Sequence, residues 1–191
     1  MSQLKLNLYH YQGGVSTLGP GTRFVIWVQG CPFSCPNCMT QDAIPFSLNQ
    51  AINISTLRDQ IINDPTLQGI SISGGEPMMQ AGRLSILLKE IQAVRPQLDV
   101  IVFTGFKLNQ LVWPEAQSFL SYVDVLVAGL YVDNLNDGKG LRGSSNQTLH
   151  FLTKKLEPFK DELTNGSRNL SFFIDTENVS LIGIPQQNFK W

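Results

Sequence analysis

The chain has 191 residues, of which 42% are hydrophobic and 15% charged, and its 14 basic and 15 acidic side chains leave a formal net charge of -1. That length suits one domain with a sizeable core. So even a charge balance gives no electrostatic footing for nucleic acid or a lipid surface as the main partner. The first fourteen residues are too polar for a secretory signal, and no run approaches the roughly 18 to 20 apolar residues of a membrane span, so a cytoplasmic location away from the membrane is expected. All three cysteines fall between positions 31 and 38. A disulfide framework needs pairs that usually close longer loops, so metal or redox chemistry is the better reading.

In chain order, residues 22–29 (TRFVIWVQ) are rich in β-branched and aromatic side chains and predict a strand leading directly into the cysteines. Ser55 is expected to cap a helix carrying Leu57, Ile61 and Ile62. Residues 69–73 (GISIS), 99–104 (DVIVFT) and 123–127 (VDVLV) share the short apolar character of buried strands. Between the first two of these, Leu84, Leu87, Leu88, Ile91 and Val94 recur at helical spacing, predicting an amphipathic helix over 80–94. Pro114 suits the first turn of a further helix around Phe119 and Leu120. This alternation predicts an α/β fold with a mainly parallel sheet, whose ligands sit at the carboxyl ends of the strands. Residues 130–147 are Gly- and Asn-rich and read as a long loop, and 170–175 with 178–184 predict a terminal antiparallel hairpin around a polar Thr176-Glu177 turn.

The segment GCPFSCPNCM places thiols at Cys31, Cys35 and Cys38, a C-x3-C-x2-C spacing. Pro32 and Pro36 prevent a regular helix there, which leaves a loop that can wrap three thiolates around one object. A structural zinc needs a fourth ligand, and the two histidines, His10 and His150, are distant in sequence. A zinc knuckle or buried unmetallated cysteines are the bland alternatives, but three thiolates suit an iron-sulfur cubane with one iron open to an external ligand. Ser73-Gly74-Gly75-Glu76-Pro77 follows directly on the 69–73 strand. Its glycines let backbone approach a ligand closely, and Glu76 can accept from an ammonium group. The same segment could equally be a turn between strand and helix. Thr104 and Gly105 put small and polar groups at the end of a third strand, where a capped turn is an equal reading. Arg142, Ser144 and Asn146 lie in LRGSSNQ, a loop suited to a carboxylate, a ribose or a partner's backbone, or simply to solvation.

Taken together, GPGTR (19–23), CPFSCPNC, SGGEP, FTGF, VDVLVAG and LRGSSNQ appear in the order seen in activating enzymes of anaerobic (class III) ribonucleotide reductases, and over about residues 5 to 150 the chain resembles that radical S-adenosylmethionine (SAM) family. The resemblance implies an incomplete α/β barrel and a [4Fe-4S] cluster on Cys31, Cys35 and Cys38. It implies SAM held by Asn37, Gly74, Gly75, Glu76, Pro77 and Thr104, with Arg142, Ser144 and Asn146 facing substrate or partner. In this chemistry an electron from the cluster breaks a sulfur-carbon bond of SAM to give a 5'-deoxyadenosyl radical, and the family's substrate is a glycine Cα of a partner protein. No side-chain acid or base is then needed. The expected organisation is a radical SAM core over 1–150 and an extension over 151–191 packed on it as one domain. The expected partners are a polypeptide substrate and a reductant such as flavodoxin or ferredoxin.

Two departures bear on the substrate. Ala128 stands where such activases commonly carry an acidic residue, and the chain continues for about 40 residues past the motif near which they often end. Small radical SAM enzymes that modify a ribosomally made precursor peptide, with or without a separate leader-binding protein, resemble the same activases and form the rival reading. A noncatalytic iron-sulfur or zinc module is the third. Trp27, Trp113, Phe103 and Phe106 read as packing rather than chemistry, and neither histidine is given a catalytic role.

Overall fold

A computed structural model of the chain describes residues 4–174, 179–187 and 189. Its centre is a seven-stranded sheet. The four predicted buried strands form a parallel run: β2 (Arg23–Val28), β4 (Gly69–Gly74), β5 (Asp99–Thr104) and β6 (Val125–Ala128), in that spatial order. Antiparallel strands extend the run on both sides. β1 (Lys5–Val15) pairs with β2 and then with β3 (Gln50–Asn53), and β7 (Thr148–Phe151) pairs with β6. None of β1, β3 and β7 is anticipated from the sequence. In β1 the buried pair Leu6 and Leu8 does alternate with more exposed neighbours, as a strand requires.

Helices α1 (Ile54–Asn63), α2 (Ala81–Val94) and α3 (Pro114–Leu120) cover one face of the sheet. In α2 the predicted stripe is buried at Leu84, Leu87, Leu88 and Ile91, while Val94 at the last position is largely exposed. Pro114 starts α3 as expected. Ser55 does not cap α1: the cap residue is Asn53, whose side chain makes no capping bond, and Ser55 lies within the first turn. Strand β3 runs straight into this helix, so its first amide is met by a neighbouring strand instead. Ile54 N–H donates to the Leu4 carbonyl at 3.0 Å.

The other face of the sheet forms a second core, and the C-terminal segment fills it. Leu156, Leu163 of α4 (Lys160–Asn165), Ile182 and Ile184 are buried there against Val25, Ile101, Val125 and Val127. The predicted hairpin is present as β8 (Leu170–Ile174) and β9 (Val179–Gly183), a separate two-stranded sheet, while its expected turn at Thr176-Glu177 falls outside the described residues. Arg168 ties this segment to the 130–147 loop by donating to the carbonyls of Lys139, Gly140, Arg142 and Pro185 and to Asn136 Oδ1. Among the described residues no helix is long and apolar enough to cross a membrane.

At the amino ends of the parallel strands, GPGTR closes the sheet. Arg23 has no solvent exposure, and its guanidinium donates to Ser71 Oγ (2.7 Å), to the Pro20 and Ile70 carbonyls, and to Asp99 Oδ1 (2.6 Å). A Cβ on Gly69 would lie 2.5 Å from this guanidinium, so that position has room only for glycine. Breaking a buried, hydrogen-bonded pair strands the remaining partner's charge. Arg23→Ala should therefore lose about 3–5 kcal/mol, read as a lower urea midpoint at unchanged slope.

Candidate functional site

At the carboxyl ends of β2, β4, β5 and β6 lies a cavity of about 570 Å³. Cys31, Cys35 and Cys38 line it together with Gly74, Gly75, Glu76, Thr104, Gly105 and residues of β9. The cysteine loop leaves β2 at Gly30 and returns there. Gly30 N–H donates to the Ala43 carbonyl at 2.8 Å and Cys31 N–H to Ile44 at 2.9 Å, so the thiols sit on a closed excursion. Within it Asn37 adopts a left-handed conformation (φ 55°), which asparagine tolerates well, and the turn lets Cys38 N–H donate back to the Cys35 carbonyl at 3.2 Å.

The three thiols are half-buried, and burial pushes the free Cys31 thiol up to about 11 and raises Cys35 as well. Thiolate ligation must therefore displace protons here. Among the described residues no three His, Cys, Asp or Glu side chains converge as a single metal ion would require. Three soft sulfurs lining one cavity suit a cubane, which takes each thiolate on a different iron.

The SGGEP turn is built tightly against that loop. Gly74 has φ +104°, and a Cβ there would lie 2.4 Å from the Val28 amide nitrogen. A Cβ on Gly75 would lie 2.4 Å from the Gly30 carbonyl oxygen and 2.7 Å from that of Ala43. Gly75 N–H donates to Val28 (2.7 Å) and Glu76 N–H to Gly30 (2.8 Å), so these amides are spent on the protein. What the turn can offer a cationic amino group is carbonyl oxygen and the remaining lone pair of Glu76. That carboxylate is buried. Its Oε1 accepts from Met78 N–H (2.9 Å) and Thr104 Oγ1 (2.8 Å), and its Oε2 from Gly105 N–H (2.8 Å). Burial pushes Glu76 up to about 7 in spite of these three bonds.

Of the remaining residues singled out in the sequence, Pro77 is buried and opens a short helical turn beneath the cavity. Asn37 turns its side chain to Asp133 Oδ2 (2.8 Å), whose other oxygen accepts from Tyr131 Oη (2.6 Å). The cysteine loop is thereby tied to the 130–147 loop, and the two bonds, Tyr131's the stronger influence, hold Asp133 below the usual carboxylate range. Arg142 pairs with Asp137 (2.7 Å), Ser144 Oγ accepts from Val132 N–H (3.1 Å), and Asn146 donates to the Leu130 carbonyl (2.9 Å). These side chains organise their own loop, and from this motif Gly143 and Gln147 reach the cavity.

Sequence reasoning also missed His10. It lies in β1, stacked on Trp27 with centroids 5.6 Å apart, and both rings line the cavity together with Phe103. Its Nε2 is buried without a hydrogen-bond partner among the described residues, and burial lowers its pKa. Plain alternation along β1 would put His10 on the face of Leu6 and Leu8, and the register shift between Leu8 and His10 turns it to Trp27 on the other face, which no sequence signal marks.

Residues 17–150 match the model of the 4Fe-4S single cluster domain family. Over 156 residues the chain is 36% identical to the anaerobic ribonucleoside-triphosphate reductase-activating protein of Escherichia coli K12, an alignment that covers 77% of this chain and 99% of that protein. The chain belongs to the radical SAM activating-enzyme family. Similarity extends to the protein of the same name from Enterobacteria phage T4, at 32% identity over 69% of this chain and 85% of that one. It reaches the pyruvate formate-lyase-activating enzyme of Staphylococcus epidermidis at 30% identity over 47% of this chain and 38% of that one. The chain is thus a radical SAM enzyme with a [4Fe-4S] cluster and SAM as cofactors.

Two outcomes test the cavity's construction. Gly75→Ala places a methyl group between two backbone carbonyls that cannot both move aside, and should lower iron bound per chain after anaerobic reconstitution several-fold. For Glu76 the folded-state pKa of about 7 lies above its ordinary 4.5, so its contribution to stability is fully present below pH 4.5 and lost as pH rises through 7. Urea midpoints of wild-type protein should fall across that window, and those of Glu76→Gln should fall less.

Proposed function

We propose that the chain is a glycyl-radical activase acting on an anaerobic ribonucleotide reductase. Cys31, Cys35 and Cys38 hold the cluster in this reading, and the Gly74-Gly75-Glu76-Pro77 turn seats the amino end of SAM. When bound, these cofactors supply reductive cleavage of a sulfonium and a carbon radical able to take a hydrogen atom. The protein's own part is positional. Glu76, held by Thr104 and Gly105, fixes the end of β5 against the end of β4 beneath the cofactors. Asn37, through Asp133, fixes the cysteine loop against the loop carrying Arg142, Ser144 and Asn146, which we assign to the partner side.

One observation carries the reading: the thiols of the cysteine triplet and the SGGEP turn, 35 or more residues apart in sequence, line a single cavity at the carboxyl ends of parallel strands. The similarity to reductase-activating proteins over most of the chain supports the reductase as partner. We read the sheet as the open barrel of this family, with a core to residue 150 and an extension from 151, in a cytoplasmic enzyme that takes electrons from a flavodoxin or ferredoxin. A precursor-peptide maturase, served by a separate leader-binding protein, is favoured by one feature. About a quarter of this chain has no counterpart in the nearly fully aligned E. coli protein.

Anaerobic reconstitution with SAM and dithionite should yield 5'-deoxyadenosine, and adding the reductase of the same organism should yield a glycyl-radical doublet by electron paramagnetic resonance. Cys35→Ala should abolish both signals. Intact SAM alongside a fully loaded cluster and the reductase sinks the mechanism, and 5'-deoxyadenosine without a glycyl radical sinks the choice of partner.

A further inference from the structure

β9 meets the cavity in an unusual way for a strand. Side chains alternate along a strand, so a strand that turns one face to a space lines it with every second residue. Here six consecutive residues, Val179 to Ile184, line the cavity and none of β8 does, so the strand borders it on the side away from its partner. Among the described residues β8 is the one strand that β9 pairs with.

The direction of its backbone groups follows from one further bond. In antiparallel pairing a residue's N–H and C=O point to the same edge, and successive residues alternate between edges. The Ile182 carbonyl accepts from Thr17 Oγ1 at 3.0 Å, outside the hairpin, so Ile182 and Ser180 face away from β8. Val179, Leu181 and Gly183 then make the bonds to Ile174, Phe172 and Leu170. Among the described residues no other hydrogen bond reaches the outer edge, which leaves the Ser180 N–H, the Ser180 carbonyl and the Ile182 N–H as the groups offered there. The hairpin cannot swing freely, because the Ile182 side chain is buried in the second core and Thr17 pins its backbone.

An open strand edge is a template for one kind of ligand, an extended polypeptide that supplies alternating donors and acceptors. This edge borders the space lined by Cys31, Cys35 and Cys38. We infer that the cavity-facing edge of β9 receives the substrate polypeptide as an added strand, pairing at Ser180 and Ile182 so that a backbone carbon is carried across the cluster side of the cavity. The inference rests on the reading that the substrate is a polypeptide. It gives the C-terminal extension a part in the reaction: it orients the main chain of the substrate and reads little of its side-chain sequence.

The test compares prolines on the two edges of the hairpin. Ser180→Pro removes an N–H from the cavity edge, while Ser171→Pro, opposite Ile182 in the register, removes one from the outer edge of β8. With the reductase as probe, the yield of glycyl radical per 5'-deoxyadenosine formed should fall about tenfold in Ser180→Pro, the equivalent of one hydrogen bond or two. Ser171→Pro should keep the wild-type ratio. A folded Ser180→Pro with the wild-type ratio overturns the inference, as does an equal loss in both variants. Should Ser180→Pro not fold, amide hydrogen exchange of the wild-type enzyme decides. Reductase binding should slow exchange at Ser180 and Ile182 about tenfold or more while leaving Leu181 and Gly183 unchanged, and binding without that pattern overturns the inference. A wild-type enzyme that makes no glycyl radical counts first against the activase reading, and with it against this use of the edge.

Discussion

A carboxylate taken out of water has to be met by donors, and the site is organised around the donors that meet Glu76. They come from two places: the Met78 amide in its own turn, and Thr104 and Gly105 at the end of the next parallel strand. The Glu76 amide in turn holds the Gly30 carbonyl, from which the cysteine loop departs. One residue thereby joins β4, β5 and the thiol-bearing loop. The glycines before it are required by the same closeness, since any side chain at Gly74 or Gly75 would collide with the backbone of β2 or of the loop.

The opposite end of the sheet solves the complementary problem. The Arg23 guanidinium, also buried, joins β2, β4 and β5 through Ser71, Ile70 and Asp99, with Pro20 closing the loop before it. The GPGTR segment thus acts on the fold and lies far from the thiols along the strand direction. Its part in function is to keep the register of three strands whose other ends must meet to within fractions of an ångström. A resemblance carried by such a segment speaks for a shared frame more than for a shared substrate. LRGSSNQ behaves similarly, because most of its polar side chains are consumed in holding their own loop.

The extension alters what the frame can do. A sheet covered by helices on one face leaves the other to be buried, and here the chain's own last segment does so with Leu156, Leu163, Ile182 and Ile184. Arg168 then fastens that segment to the 130–147 loop through several carbonyls. The cavity that results is lined both by the cysteine triplet and the SGGEP turn and by residues of β9. Its lining is mixed, with Trp27, Phe103 and His10 as well as residues of β9.

The sequence by itself determined the chemistry and the parallel centre. C-x3-C-x2-C states its donors and spacing without reference to anything distant, and the four apolar runs at 22–29, 69–73, 99–104 and 123–127 are each long and uniform enough to declare buried strands. It was blind where structure depends on partners remote in the chain. The antiparallel strands β1, β3 and β7 are half-buried at most positions, so their patterns are weak, and α1 takes its first amide bond from Leu4 in place of Ser55. That Asn37 faces Asp133, that Glu76 is spent largely on its neighbours, and that His10 and β9 enter the cavity are tertiary facts. Hydrogen bonds and burial are properties of pairs, and these pairs form only when the sheet has brought distant segments together.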